Sequence, residues 1–202
     1  MENNTFARSL HDLGAAAWFG GALMGAIGLN GASREVTDDK ERLIVADAGW
    51  SRWAPVNAAA IGAHLLGGAL LLVGNKGRVA GQKGVAGVTT AKMLVTLGAV
   101  GVTAYSGMAG KKLKNAGRVP VTSATEPSGE TPDQVAQCQR QQKVLQWAIP
   151  ALTGSVIVIS ALMGEQQRPK NVAHGLVERA GRWIPDGLHS SLHSLPETLH
   201  LS

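Results

Sequence analysis

Leu13-Gly14-Ala15-Ala16-Ala17-Trp18-Phe19-Gly20-Gly21-Ala22-Leu23-Met24-Gly25-Ala26-Ile27-Gly28-Leu29 runs without a single charged side chain, between Asp12 and Asn30. As a helix rising 1.5 Å per residue it covers about 26 Å, close to the roughly 30 Å of hydrocarbon in a bilayer. Its glycines argue in the same direction. In a water-exposed helix each glycine costs roughly 1 kcal/mol against alanine, whereas between helices in lipid it permits close backbone approach. The stretch therefore reads as a membrane span.

Three more stretches of the same kind follow. Ala54 to Val73 is preceded by Trp50, Arg52 and Trp53, carries Pro55 in what reads as its first turn, and ends at Gly74-Asn75-Lys76. Thr89 to Gly110 has Lys92 near its start, close enough to the edge to snorkel, and is closed by Lys111-Lys112-Leu113-Lys114. Val144 to Met163 is entered through Lys143, carries Trp147 in its first turn, and has Pro150 placed where a kink is expected. None of the four contains Asp or Glu. A soluble bundle would put charges on the face opposite its apolar stripe, and here that face is apolar too. The composition agrees, with 45% hydrophobic and 16% charged residues against roughly 25% charged in soluble domains. A mean hydropathy of only +0.05 reflects dilution by polar loops.

The expected architecture is all-α: an integral membrane four-helix bundle over residues 1–167, followed by an amphipathic and flexible tail over 168–202. In the tail, Val172, Leu176, Ala180, Trp183 and Ile184 share a helical face, a pattern suited to the membrane interface. Trp50, Trp53, Trp147 and Trp183 are expected at the membrane interface. Residues 30–53 read as a charged connection with a short exposed helix, 75–83 as a tight basic loop, and 115–140 as a mobile loop rich in Thr, Ser, Pro, Glu and Gln. The four spans show no internal sequence repeat. The N-terminus lacks the basic region of a signal peptide, so the first span reads as retained.

The net charge of +5 and a pI near 9.7 could point to nucleic acid. The basic residues, however, flank apolar segments and form no stripe interleaved with aromatics. The expected partners are the lipid bilayer, and either a second copy or another membrane protein, with no nucleic acid. Four spans put both termini on one side, with nine Lys and Arg there and ten on the other, which does not decide orientation. The basic second loop and basic tail lean towards cytoplasmic termini. Cys138 is the only cysteine, which excludes an intramolecular disulfide framework.

His64 is the one ionisable residue deep in a span, a position that calls for a functional reading. Asn57, seven residues earlier, shares its face. The pair reads either as a polar seam for a substrate or proton, or as helix association through hydrogen bonds from His64 to Thr96, Thr103, Thr153 or Ser155. A bis-histidine haem would need a partner at the same depth. His11 is the nearest candidate but reads as sitting at the entry edge of the first span, so the depths do not match. Gly14, Gly21, Gly25 and Gly28 form a small-residue packing face on the first span. In the tail, His189 and His193 are four apart with His200 beyond Pro196, an incomplete metal set. No catalytic residues, metal ligands or cofactor are expected.

The segment Leu10-His11-Asp12-Leu13-Gly14-Ala15-Ala16-Ala17-Trp18-Phe19-Gly20-Gly21 resembles the first span of the four-span bacterial membrane families around the copper-resistance D-like domain. The resemblance implies a helical bundle in a bacterial inner membrane, sometimes linked to copper handling. Met24, Met93, Met108 and Met163 are isolated and form no copper motif of their own. The expected function is non-enzymatic, through helix packing and partner or lipid contacts. A small transporter or permeation unit using Asn57 and His64 is the alternative, and a haem- or metal-binding redox subunit stands third.

Overall fold

The computed structural model describes residues 4–77 and 85–165. Four long helices account for most of them: α1 (Thr5–Met24), α2 (Arg42–Gly74), α3 (Val85–Asn115) and α4 (Asp133–Glu165). Helix α1 continues without a break through a π-helical turn at Gly25–Leu29 and a last turn at Asn30–Ala32, and closes in a 3-10 turn at Ser33–Glu35. All four helices are long and apolar enough to cross a membrane. In the most apolar window of each, only 17 to 28% of the residues are buried inside the protein. Leu13, Leu94 and Val158 are 71%, 65% and 60% exposed, so the bundle turns an apolar surface outward.

Every helix is longer than the apolar stretch that marks it. Helix α2 begins at Arg42, twelve residues before Ala54, so the expected exposed helix before it does not form and Pro55 lies well inside. The added turns are amphipathic, burying Leu43 and Ala46 and laying Trp50 and Trp53 over α1. Helix α4 runs unbroken through Pro150.

Helices α1 and α2 pack tightly as an antiparallel pair, as do α3 and α4, and α1 also packs on α4; α2 and α3 touch little. The reason for the α1–α2 contact lies in two glycines. A Cβ at Gly14 would collide with the Ala60 carbonyl and stand 2.6 Å from the His64 nitrogen. A Cβ at Gly67 would lie 2.5 Å from the His11 nitrogen and 2.6 Å from the Ala7 carbonyl. Backbone thus meets backbone at both points, which only glycine allows. Further along α1, Gly21 and Gly25 lie under the rings of Trp53 and Trp50, while Gly28 meets only Met24 of its own helix. The centre of the bundle is a cluster of Trp18, Ala22, Ala99 and Ile149, with Trp18 Nε1 donating to Thr103 Oγ1 at 3.2 Å.

The bundle has two unlike ends. One carries the start of α1, the end of α2, the start of α3 and the end of α4; we call it the terminal end. The other is covered by the connection 116–132, which is ordered and held down, contrary to the expected mobile loop. Within it, β1 (Val121–Ser123) and β2 (Glu126–Pro127) pair antiparallel. Gln139 of α4, fully buried, donates from Nε2 to the carbonyls of Ser123 (2.8 Å) and Ala124 (3.3 Å). Arg42 of α2 donates from Nη1 to the carbonyls of Val121 and Thr122, each at 3.0 Å. Ser33 Oγ accepts from the Ala124 amide at 2.8 Å. Polar side chains on the helix ends replace water for this backbone, which is why a polar composition did not leave it loose. Charges add to the tether, with Glu126 held between Arg34 and Lys143, and Arg118 between Asp38 and Glu41.

Candidate functional site

His64 is 2% exposed, and its partner is not the expected threonine or serine. Its Nδ1 lies 3.0 Å from the carbonyl of His11. Of the four hydroxyls, Thr103 takes Trp18, Thr153 and Ser155 donate back into their own helix, and Thr96 lines the adjacent cavity. Nor is Asn57 part of the site. It lies outside that cavity, and its Oδ1 is buried with no hydrogen-bond partner among the described residues.

The residue that joins His64 is His11. Their rings lie 4.2 Å apart between centroids, and both side chains are almost wholly buried. The expected mismatch in depth fails because α1 starts at Thr5, eight residues before the apolar stretch, so His11 is a full turn and a half inside its helix. Depth is set by where helices cross, and the crossing puts Gly14 on the backbone of His64 and Gly67 on that of His11. Lys92 also departs from its expected snorkelling role, because its Nζ turns inward and donates to His11 Nε2 at 2.6 Å.

The partners fix the tautomers. His11 Nδ1 faces the Asp12 carboxylate at 2.7 Å, which only accepts, so Nδ1 carries the proton and Nε2 is the acceptor for Lys92. A continuous chain results, from Asp12 through His11 to Lys92. His64 Nδ1 likewise faces a carbonyl and carries a proton; in the neutral imidazole the lone pair then sits on Nε2. That nitrogen has no hydrogen bond among the described residues and is not among the enclosed, unpartnered atoms. His64 itself lines the cavity beside it.

The cavity has a volume of about 330 Å³ and lies between α2 and α3 at the terminal end, where those helices touch little. Its polar lining gathers Arg8, His11, Asp12, His64 and Lys92; its apolar walls include Leu72 and Met163. Behind His64 the way is shut by Trp18, which is 1% exposed and meets the imidazole edge-on at 6.2 Å. Comparison with family models, with curated proteins and with solved structures finds no match.

The other residues marked in the sequence lie elsewhere. Trp50 and Trp53 are half-buried against the α1 glycines, and Trp50 Nε1 donates to Asn30 Oδ1 at 2.8 Å. Trp147 is exposed. Trp183, His189, His193 and His200 fall outside the described residues, as does the amphipathic tail. No group of three or more potential metal ligands occurs among the described residues. His11, Asp12 and Lys92 were missed as a set. One sequence signal would have found the first of them: His11-Asp12-Leu13-Gly14 and His64-Leu65-Leu66-Gly67 repeat one spacing, a histidine three residues before the glycine that receives the other helix.

Proposed function

We propose that the chain is a multi-pass membrane protein whose working part is the cavity at the terminal end, where it binds a small ligand without transforming it. The observation that carries this reading is the convergence of His11, His64 and Lys92, from three helices, on one cavity. Membrane residence is supported by the apolar outer surface, which in water would expose far more contiguous hydrophobic area than a soluble monomer tolerates. Burying polar side chains inside such a bundle is costly, and residues of this type at such depth mark substrate or ion paths. Helix packing through Gly14 and Gly67 builds the site, so the packing and the binding readings become one.

A through-pore for permeation has less support. Trp18 and its cluster close the bundle behind His64, and Asn57 lies outside the cavity. A transporter reading needs this to be one of two states of the bundle. The decisive comparison is ligand-dependent stabilisation of the purified full chain in lipid nanodiscs, with the wild type against Ala69→Trp, which fills the cavity. A saturable gain in melting temperature with the wild type alone supports the reading; equal behaviour of both proteins across a library of small amphiphiles overturns it.

We read the terminal side as cytoplasmic, in a bacterial inner membrane, a reading supported by the basic second loop and basic tail of the sequence. Cys138 is a poor reporter, because it is buried with its thiol directed at the Ala109 carbonyl. An impermeant maleimide applied to cells carrying Gly129→Cys with Cys138→Ala should label from outside. Labelling only after lysis would reverse the orientation.

A further inference from the structure

Lys92, His11 and Asp12 stand in a line whose order has chemical meaning. Lys92 Nζ lies 2.6 Å from His11 Nε2, and the other ring nitrogen, Nδ1, lies 2.7 Å from the Asp12 carboxylate. An amine within hydrogen-bond reach of a base, with that base oriented by a third group, is the arrangement that activates a nucleophile. Asp12 only accepts, so it keeps the proton of His11 on Nδ1 and leaves Nε2 as the acceptor facing the amine. The His64 ring, 4.2 Å away between centroids, packs on the same imidazole and limits its rotation. A lysine kept only for its charge would snorkel to the membrane surface. Lys92 instead reaches from α3 to α1, helices that otherwise touch little. All three residues line the cavity, whose apolar walls include Leu65, Leu72 and Met163. Lysine is the side chain whose amine forms imines with carbonyl compounds.

From this line of amine, base and carboxylate along an apolar cavity, we propose that Lys92 holds an apolar aldehyde as a protonated imine, with His11 as the base and Asp12 as its positioning residue. This rests on the cavity reading above and names a ligand class for it. The Lys92 ammonium first gives a proton to His11 Nε2, and the amine nitrogen then bonds to the carbonyl carbon. A proton moves from that nitrogen to the oxygen, giving a carbinolamine. The His11 imidazolium returns its proton to the hydroxyl, the C–O bond breaks, water leaves, and the nitrogen lone pair completes the C=N bond. Aldehyde and ammonium thus become protonated imine and water, with His11 restored and no oxidant or reductant consumed. Addition of water reverses the sequence and releases the aldehyde unchanged, so the ligand is held without being transformed. The corresponding alcohol has no carbonyl carbon to attack and cannot be held in this way.

The test adds octanal and sodium cyanoborohydride, which reduces imines to stable amines, to the full chain in phosphatidylcholine nanodiscs. Peptide mass mapping follows the rate at which each lysine gains an octyl group. Lys111 and Lys112, exposed near the other end of α3, serve as the reference in the same sample. Lys92 should be alkylated about tenfold faster than either, or more, because only it has a base in place. Ala69→Trp, which fills the cavity, should bring Lys92 down to the reference rate. Asp12→Asn should slow Lys92 by about tenfold with little change in melting temperature, since the Asp12 side chain is 57% exposed. Alkylation of Lys92 no faster than that of Lys111 and Lys112 would overturn the imine. So would an undiminished rate in Ala69→Trp, because the lysine would then be reacting outside the cavity. An unchanged rate in Asp12→Asn would overturn the part given to Asp12. The cavity reading is judged apart from these outcomes: if Lys92 stays slow while octanol raises the melting temperature of the wild type but not of Ala69→Trp, the imine falls and the cavity stands. Because the first comparison is made within the wild type, a variant that fails to fold does not blunt the result.

Discussion

The two ends of this bundle handle buried polarity in opposite ways. At the capped end, all but one of the polar groups named are matched to one another: Gln139 and Arg42 donate to the carbonyls of the hairpin, Asn30 links Trp50 to Gln146, and Glu126 sits between two cations, while Gln139 Oε1 is buried without a partner among the described residues. At the terminal end, Lys92 and His64 keep unused capacity and turn it towards a cavity. Satisfied networks fix a structure, whereas polar groups held apart from a partner raise its energy until a ligand supplies one. The capped end is therefore read as the part that specifies the bundle, and the terminal end as the part that works.

Substitutions at the helix crossing should break this division most severely, because both ends depend on it. Gly67→Leu drives a side chain into the backbone of His11, and over-packing against backbone that cannot yield costs about 1–3 kcal/mol or more. We expect loss of a monodisperse, heat-resistant protein on size-exclusion chromatography. Gly98→Leu, where a Cβ meets nothing, is the control and should behave as wild type. If both variants behave alike, close backbone approach at Gly67 is not what joins α1 to α2.

Next in size is Gln139→Leu. It strips two buried carbonyls of their donor at a cost of about 1–3 kcal/mol. The melting temperature should fall and the 116–132 connection should become sensitive to protease, with ligand binding at the other end unchanged below the new melting point. A simultaneous loss of binding would show that the ends are coupled and not independent.

Lys92→Met inverts that result. Removing the ammonium relieves a buried charge but leaves the buried His11 Nε2 without its donor, a net cost of about 1 kcal/mol, at the low end of what an unpaired buried acceptor loses. We expect a melting temperature within a few degrees of wild type together with loss of ligand binding; a large fall in stability would make Lys92 structural. The smallest effect belongs to Arg34→Ala. Its pair with Glu126 is more than half exposed on the arginine side, such pairs contribute about 0–1 kcal/mol, and Lys143 still holds the glutamate. A fall comparable to that of Gln139→Leu would mean the surface charges, not the buried amide, hold the cap.

Much of the fold is legible in the chain because apolar length is a local property. Each of the four stretches, from Leu13-to-Leu29 to Val144-to-Met163, lies within a helix of the structure. Their ends are not local. Residues 42–53 join α2 because Trp50 and Trp53 find glycines on α1, and residues 116–132 are ordered because Gln139 and Arg42 come from helices far along the chain. The same limit governed the candidate site. His64 stands out by depth alone, but His11 and Lys92 look like edge residues until the helices cross. Asn57 shares a helical face with His64, yet facing the same way along one helix does not bring it to the cavity.

The sequence by itself determined that there are four long apolar helices, free of carboxylates in their apolar stretches, with a histidine deep in the second. Hydrocarbon length and charge content fix those features residue by residue. Only the tertiary structure decided that Asp12, His11 and Lys92 form a chain beside His64. That outcome depends on two glycines, 53 residues apart, letting α1 and α2 approach until their backbones touch, and no property of either helix alone sets where that contact falls.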